Sequence, residues 1–400
     1  MYSTITVAVD NSPASARAEE LAVAFARATG SALTGLHAYT GRFHRGRFQA
    51  LEPHLPGQYQ DPAALAYQRG THSVLIDRGL ELISSEYLKR LRDRCGTDGI
   101  PFREMIVDGK NADVIIGASR QAGLMVMGDT GLGSTAGTPG LGSNTRRMLR
   151  HGYCDLLVAR TDSPVRNILA GIDGSGDALS MVGTAAGLAR TLGANLRIAA
   201  SFDPGFHQAV FGSLSGVLSP PAGEVFRFSA QKALHNEIID TSLGRLYTGY
   251  LDQAAAAARE QGADPKTILL RGKPAPAVCA EAAAVAADLI VVARHGMHRG
   301  AYGDIGSNAE RIAEQAGTSV LVVGGKSTSP GEPGIPQLAA AREPLASTLL
   351  WTDEARRRLD RVPVFARPMA ALAIERFAQE NRETVITPEI MTRAKERMGQ

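Results

Sequence analysis

Two glycine-rich stretches carry the residues whose type and spacing point to chemistry. The first reads Gly128-Asp129-Thr130-Gly131, then ten residues, then Gly142-Ser143-Asn144. The second reads Ala293-Arg294-His295-Gly296, then nine residues, then Gly306-Ser307-Asn308. Each follows a short apolar run and leads into a stretch of helical period. Glycines let a backbone take positive φ and approach a ligand closely. Successive backbone N–H groups form a nest for an anion. Ser143 and Ser307 sit where a helix starts, so free N–H groups and the helix dipole favour a phosphate there. The plainer reading is a pair of ordinary strand–helix turns.

Two common phosphate motifs do not fit. The dinucleotide fingerprint places G-x-G-x-x-G after the first strand, but here that strand runs into Asp10-Asn11-Ser12-Pro13. A P-loop needs G-x-x-x-x-G-K-[ST]. Gly325-Lys326-Ser327 has Val320 at the first glycine position and a Pro-rich stretch behind it, so it reads as a decoy.

The elements that must position these loops occur twice. Ile5 to Asp10 is echoed by Ile168 to Asp173, an offset of 163 residues that also maps Gly30 onto Gly193, Tyr87 onto Tyr250 and Lys110 onto Lys273. Near the glycine loops the offset drifts to 164–165. Such self-similarity marks a duplicated unit. Each copy opens on a β-branched strand ending in Asp, followed by an Ala-rich helix ending at Gly30 or Gly193, a glycine stop. Second strands are Ala32–Ala38 and Asn195–Ser201. A long insert with Pro, Gly and aromatics follows, then a helix through Tyr87 or Tyr250. Third strands are Phe102–Val107 and Lys266–Leu270. The fourth, Leu124–Met127 and Leu289–Ala293, are apolar throughout, as strands buried on both faces are. The fifth are Leu156–Ala159 and Val320–Val323. Alternating strands and helices predict two doubly wound, Rossmann-like α/β domains with parallel sheets. The apolar fifth strands should pair with each other to protect their edges and make an intramolecular pseudo-dimer. Expected domains are 1–163 and 164–326, a Pro/Gly/Ser-rich linker at 327–348, and a small all-α domain at 349–400. There Thr352 and Thr387 are helix caps, the latter with Pro388 at the first helical position.

Composition excludes several classes. With 43 basic and 40 acidic residues the net charge is +3, which names neither nucleic acid nor membrane as a partner. Three scattered cysteines, Cys95, Cys154 and Cys279, argue against a disulfide framework or a Cys-based zinc site. No signal peptide and no apolar run of membrane-spanning length is visible, so a cytoplasmic protein is expected.

A first-strand Asp with a late G-x2-G-x9-G-[ST] loop resembles the ATP-binding class of the universal stress protein family, across roughly residues 1–326, twice. The resemblance implies that Asp10 and Asp173 hold an adenosine and that Gly128, Gly131, Gly142, Ser143 and Asn144, with Gly296, Gly306, Ser307 and Asn308, cradle phosphates. The implied cofactor is ATP or another adenine nucleotide, with Mg. The implied role is stress response or regulation through nucleotide occupancy and a regulatory protein partner, and a homo-oligomer is compatible with it. The copy-two loop carries Arg294, His295, His298 and Arg299, while the copy-one loop has Asp129, so copy two is expected to bind phosphate more tightly. Trp351-Thr352-Asp353-Glu354-Ala355, then Arg361-Val362-Pro363, Glu375-Arg376-Phe377 and Val385 to Glu389, resembles the end of the B subunit of light-independent protochlorophyllide reductase, which hints at a tetrapyrrole context.

The inserts repeat Phe-His-x3-Phe (Phe43, His44, Phe48; Phe206, His207, Phe211) and a His five residues before an Asp (His72, Asp77; His235, Asp240). These read as packed aromatic clusters. A metal or haem held by His44 with His72, and by His207 with His235, is the alternative, and it would make the chain a tetrapyrrole or metal carrier. A pure scaffold with degenerate sites is a third reading. No nucleophile, zincin helix or carboxylate pair stands out, so no catalytic residue is named and slow ATP hydrolysis is the most enzyme activity expected.

The Pro-rich linker implies few contacts between the C-terminal segment and the rest. Truncation after Gly331 should leave the thermal midpoint of the α/β part within a few degrees of the full chain, by differential scanning calorimetry. A collapse in soluble yield would contradict this.

Overall fold

The computed structural model describes residues 2–134, 140–162, 164–203, 240–297, 304–325, 349–360 and most of 371–398. Contacts divide the described residues into two compact units, one of 2–203 with 240–325, the other within 349–398.

In the first unit, the first repeat runs β1 (Thr4–Ala8), α1 (Pro13–Thr29), β2 (Ala32–Tyr39), α2 (Gly41–Leu51), α3 (Pro62–Asp98), β3 (Phe102–Asp108), α4 (Asn111–Ala118), β4 (Leu124–Gly128), α5 (Ser143–His151) and β5 (Asp155–Ala159). The second runs β6 (Asn167–Ile172), α6 (Gly176–Leu192), β7 (Asn195–Phe202), α7 (Asp240–Glu260), β8 (Lys266–Arg271), α8 (Pro274–Ala284), β9 (Leu289–Ala293), α9 (Ser307–Gln315) and β10 (Ser319–Val323). The ten strands form one sheet in the order β3-β2-β1-β4-β5-β10-β9-β6-β7-β8. Pairing is parallel inside each repeat and antiparallel where β5 meets β10, with Val158 opposite Val320 and Leu156 opposite Val322. The expected pairing of the fifth-strand edges is thus observed.

Strand alternation sends side chains to two cores. Leu157 and Leu321 join Ile5, Phe25, Leu88 and Leu188 on the α1, α3, α6 and α7 face. Leu156 and Val320 join Met125, Leu149, Ile290 and Ile312 on the α4, α5, α8 and α9 face. Burying each such side chain contributes about 1.5–3 kcal/mol. Both cores run unbroken from one repeat into the other.

Helix ends follow local chemistry. Ser12 and Ser175 cap α1 and α6, accepting from the N–H of Ser15 and Ala178. Gly30 and Gly193 close those helices at φ 69° and 65°, where a side chain would cost about 1–2 kcal/mol. The first insert departs from expectation, being largely helical. α3, the expected helix through Tyr87, already starts at Pro62, because Asp61 caps it through the Ala64 N–H (2.9 Å) and proline occupies the first turn.

The C-terminal unit holds α10 (Asp353–Leu359), α11 (Pro388–Met398) and a parallel two-stranded pair, β11 (Leu350–Trp351) with β12 (Val385–Ile386). Thr352 caps α10 through the Ala355 N–H at 3.2 Å. Ala355, Phe377, Ile386 and Ile390 form its core. Residues 327–348, His207, His235, Phe206, Phe211, Arg361 to Arg367 and the side chains of Asp77 and Asp240 lie outside the described residues.

Because both cores cross the β5–β10 seam, the α/β unit should unfold in urea as one transition. Circular dichroism is the suitable probe, since Trp351, the single tryptophan, belongs to the other unit. Leu321→Ala, at a fully buried seam position, should cost about 2–5 kcal/mol and keep a single transition. Two resolved α/β transitions would contradict a shared core.

Candidate functional site

In each repeat the strand order reverses beside the first strand, β1 lying between β2 and β4, and β6 between β7 and β9. Crevices at the carboxyl ends of such strands are where doubly wound sheets take ligands. A cleft opens at both places.

The first has a volume of about 590 Å³ and is lined by Asp10, Gly128, Gly131, Gly142, Ser143 and Asn144 together. The second, about 230 Å³, is lined by Asp173, His295, Gly296, Gly306, Ser307 and Asn308 together. The residues of the two glycine loops expected to meet a nucleotide therefore line the cleft of their own repeat, whereas Asp129 does not.

The aspartates tie two loops together. Asp10 accepts from Ser12 N (3.0 Å) in its own turn and from Leu132 N (3.2 Å) in the glycine loop. Asp173 repeats this with Ser175 N (3.0 Å) and Met297 N (2.9 Å). The turn after each aspartate is left-handed, at Asn11 (φ 60°) and Gly174 (φ 84°), a region only Gly and Asn enter readily.

The loop glycines are needed mainly for close approach. Among Gly128, Gly131, Gly142, Gly296 and Gly306 none has positive φ; in the described part of the first loop only Gly140 does, at 101°. A Cβ on Gly131 would lie 2.7 Å from the Asp10 carboxylate, and one on Gly296 2.3 Å from that of Asp173. A Cβ on Gly128 would meet the Ala14 backbone at 2.7 Å, so this glycine lets α1 pack on β4. Ala293 replaces it in the second repeat with ordinary strand angles.

Gly142 and Gly306 are the N-caps of α5 and α9, and neither helix has a side-chain cap. The helices begin at Ser143 and Ser307, where the sequence places their starts. Each glycine N–H donates 2.8 Å to the carbonyl of Asp129 or Arg294 in its own loop. With no serine or aspartate side chain over the first turn, the N–H groups there are left to whatever enters the cleft.

The charges fall otherwise than the sequence suggests. Arg294 is 1% exposed, and its guanidinium donates to Leu149 O and Gly324 O at the seam. Burial pushes its pKa down to about 10. His295 is buried, its Nδ1–H donating to Asp304 O at 3.0 Å, and His298 and Arg299 lie outside the described residues. In the first loop Asp129 is neutralised by Arg17 (3.2 Å) and Arg160 (3.7 Å). The charge argument for tighter binding in the second repeat therefore loses Arg294, because burial commits its guanidinium to backbone carbonyls.

The first cleft also gathers Ser15, His37, Asn111 and Thr130. His37 donates through Nδ1 to Val9 O at 2.6 Å, with Tyr87 edge-on at 5.1 Å. The repeat could not reveal these residues, since Ser15, His37 and Asn111 correspond to Ala178, Ala200 and Pro274. Tyr247 and Ser201 line the second cleft. The described insert histidines, His44 and His72, line neither cleft. His44 is exposed beside Phe43, and His72 stacks on Phe48 at 4.3 Å. Among the described residues no group of three or more His, Cys, Asp or Glu could hold a metal.

Residues 1–160 and 164–324 each match the model of the Universal stress protein family. The chain belongs to the universal stress protein family. A universal stress protein from Archaeoglobus fulgidus is similar in fold, at 14% identity and a TM-score of 0.51, over 80% of this chain and 98% of that one. A single repeat is similar to universal stress protein UspA from Lactobacillus plantarum, at 24% identity and a TM-score of 0.30, over 39% of this chain and 97% of that one. Beyond the two stress-protein repeats, residues 351–395 match the model of the Proto-chlorophyllide reductase 57 kD subunit. A stretch of 59 residues is 41% identical to the B subunit of the light-independent protochlorophyllide reductase of Chlorobium luteolum, 15% of this chain and 11% of that protein. The chain thus spans about a tenth of that reductase polypeptide. No helix among the described residues is long and apolar enough to cross a membrane.

Gly131→Ala should push the Asp10 carboxylate off the glycine loop, costing about 1–3 kcal/mol of stability in urea titration. Gly133→Ala, where an added Cβ meets nothing within 4 Å, is the control and should cost less than half as much.

Proposed function

We propose that this universal stress protein binds an adenine nucleotide in the first cleft, with ATP and its Mg as the leading form, and signals occupancy to a regulatory protein partner. The observation that carries the reading is the uncapped start of α5 at Gly142-Ser143-Asn144, facing across one cleft the carboxylate of Asp10. The first N–H groups of a helix suit phosphate oxygens. A carboxylate already fixed by two backbone N–H groups keeps lone pairs for ribose hydroxyls. Leu36, Ile115, Met127 and Leu141 supply an apolar wall for a base. The volume lies within the usual range of about 300–1,000 Å³ for small-molecule sites. The second cleft has the same plan at smaller volume and is the weaker site.

The domain limits 1–163, 164–326 and 349–400 are part of this reading, as is a cytoplasmic location. The C-terminal segment favours one further idea, a tetrapyrrole-linked setting in which this unit docks a partner. An absorbance spectrum of the purified protein tests it: a Soret band supports a carrier, and an adenine band near 260 nm without one supports the nucleotide reading.

Isothermal titration calorimetry with ATP should show one dominant site. Gly142→Val, which crowds Thr130 and the phosphate position, should weaken it at least tenfold, and Gly306→Val should weaken it less. Affinity should fall as salt rises, because phosphate charge is screened. No heat with ATP, ADP or AMP, or a larger loss at Gly306→Val, would overturn the reading.

A further inference from the structure

The helices α5 and α9 begin at separate clefts, yet each ends in the grip of the other repeat. α5 closes with Gly152 N donating to Met148 O at 2.8 Å, and α9 with Ala316 N donating to Ile312 O at 2.9 Å. The next carbonyls, Leu149 O and Ala313 O, fall in the last turn, where no intrahelical donor remains. An arginine from across the seam takes each one. Arg294 Nη1 donates to Leu149 O, and Arg160 Nη2 donates to Ala313 O. Arg294 Nε also holds Gly324 O, and Arg160 Nη1 also holds Thr318 O at 3.5 Å. A cation at a helix C-terminus is favourable. The two arginines are not counterparts in the repeat, for Arg160 follows β5 and Arg294 follows β9. They reach equivalent carbonyls by different routes.

The same loop positions also hold the helix starts. Asp129 O accepts from Gly142 N, and Arg294 O accepts from Gly306 N, both at 2.8 Å. Asp129 thus fixes the start of α5 through its backbone and, through its ion pair with Arg160 (3.7 Å), the end of α9. Arg294 fixes the start of α9 through its backbone and the end of α5 through its side chain. Two further ion pairs, Arg146–Glu314 (3.0 Å) and Arg150–Glu310 (2.6 Å), lace the helices side by side.

We infer that the two clefts are coupled, with Arg294 a positioning residue for the first cleft and Arg160, with Asp129, for the second, each acting on the far end of the phosphate-facing helix in trans. This rests on the nucleotide reading of the clefts. The coupling has a physical basis in stiffness. A nine-residue helix is a rod of about 13 Å, so a pull at its start is felt at its end. A buried guanidinium resists the loss of its carbonyl partners, because water does not replace them there. Arg160 is similarly dehydrated, and burial lowers its pKa as it does that of Arg294. A ligand that draws one loop inward therefore moves the residue holding the other helix.

The test isolates one cleft at a time. In a Gly306→Val chain, where the first cleft alone takes ATP, adding Arg294→Gln should weaken that cleft on the order of tenfold, within the usual span of coupling between sites. In a Gly142→Val chain, Arg160→Gln should weaken the second cleft likewise. Arg294→Lys, which keeps the charge but fewer donors, should give a smaller loss than Arg294→Gln. Unchanged first-cleft affinity with Arg294→Gln would overturn the inference. A ligand-free arm uses amide hydrogen exchange. Arg294→Gln should speed exchange at residues 146–149 of α5 while leaving β1 and β2 protected. Uniform loss of protection, or none in α5, would mean that the arginine is only part of the general core. Should the wild-type chain take no nucleotide, the functional reading falls, and the exchange arm still decides whether α5 is positioned in trans.

Discussion

The antiparallel pairing of β5 with β10 is the contact on which the rest of the α/β unit depends. A single repeat would end in an apolar strand with unpaired N–H and C=O groups on one side, an exposed edge. Joining the two edges satisfies those groups and merges each repeat's two cores into cores shared by both. Because this one ladder is antiparallel while the others are parallel, the carboxyl ends of the strands point in opposite directions in the two repeats. The clefts therefore open at opposite ends of one sheet, and the glycine-loop helices lie side by side at the seam.

That arrangement explains the polar groups buried there. Asp155, at the start of β5, accepts from Tyr2 OH (2.6 Å) and from Gly324 N (2.7 Å). Burial raises its pKa despite these partners, and burial likewise pushes the Cys154 thiol up to about 12. Arg294 lies in the same region and satisfies carbonyls of both repeats. A wholly apolar seam would stabilise as well, but it would not define which carbonyl meets which donor. The buried arginines set that register, and they do so at the far ends of the two helices whose near ends face the clefts.

The repeats have diverged under this shared frame. The turn after each first strand keeps the same carboxylate bridge, and both glycine-loop helices keep an uncapped start. The first cleft has Ser15 and Asn111 where the second has Ala178 and Pro274, its His37 corresponds to the buried core residue Ala200, and it is the roomier. In the second, Gly174 lies against Tyr250, since a Cβ there would meet its ring at 2.5 Å. Duplication therefore preserved the scaffold of a site more strictly than its lining.

Much of this was legible along the chain, because periodicity, caps and glycine positions are local. The ten strands, the Gly30 and Gly193 stops, the duplicated aspartates and the place of both glycine loops beside a cleft all follow from short-range pattern and its repetition. The 163-residue offset could not report what is not repeated, so His37 and Asn111 were invisible to it. Length along a helix was also missed: Asp61-Pro62 is a start signal hidden among the prolines and glycines of the insert. Tertiary structure alone decided where charges go. Arg294 sits in the glycine loop by sequence, and proximity in the chain suggests a phosphate partner. In the fold it turns to the seam, because the antiparallel pairing brings an unsatisfied helix-end carbonyl of the other repeat within its reach, and no reading of neighbours in the chain contains that carbonyl.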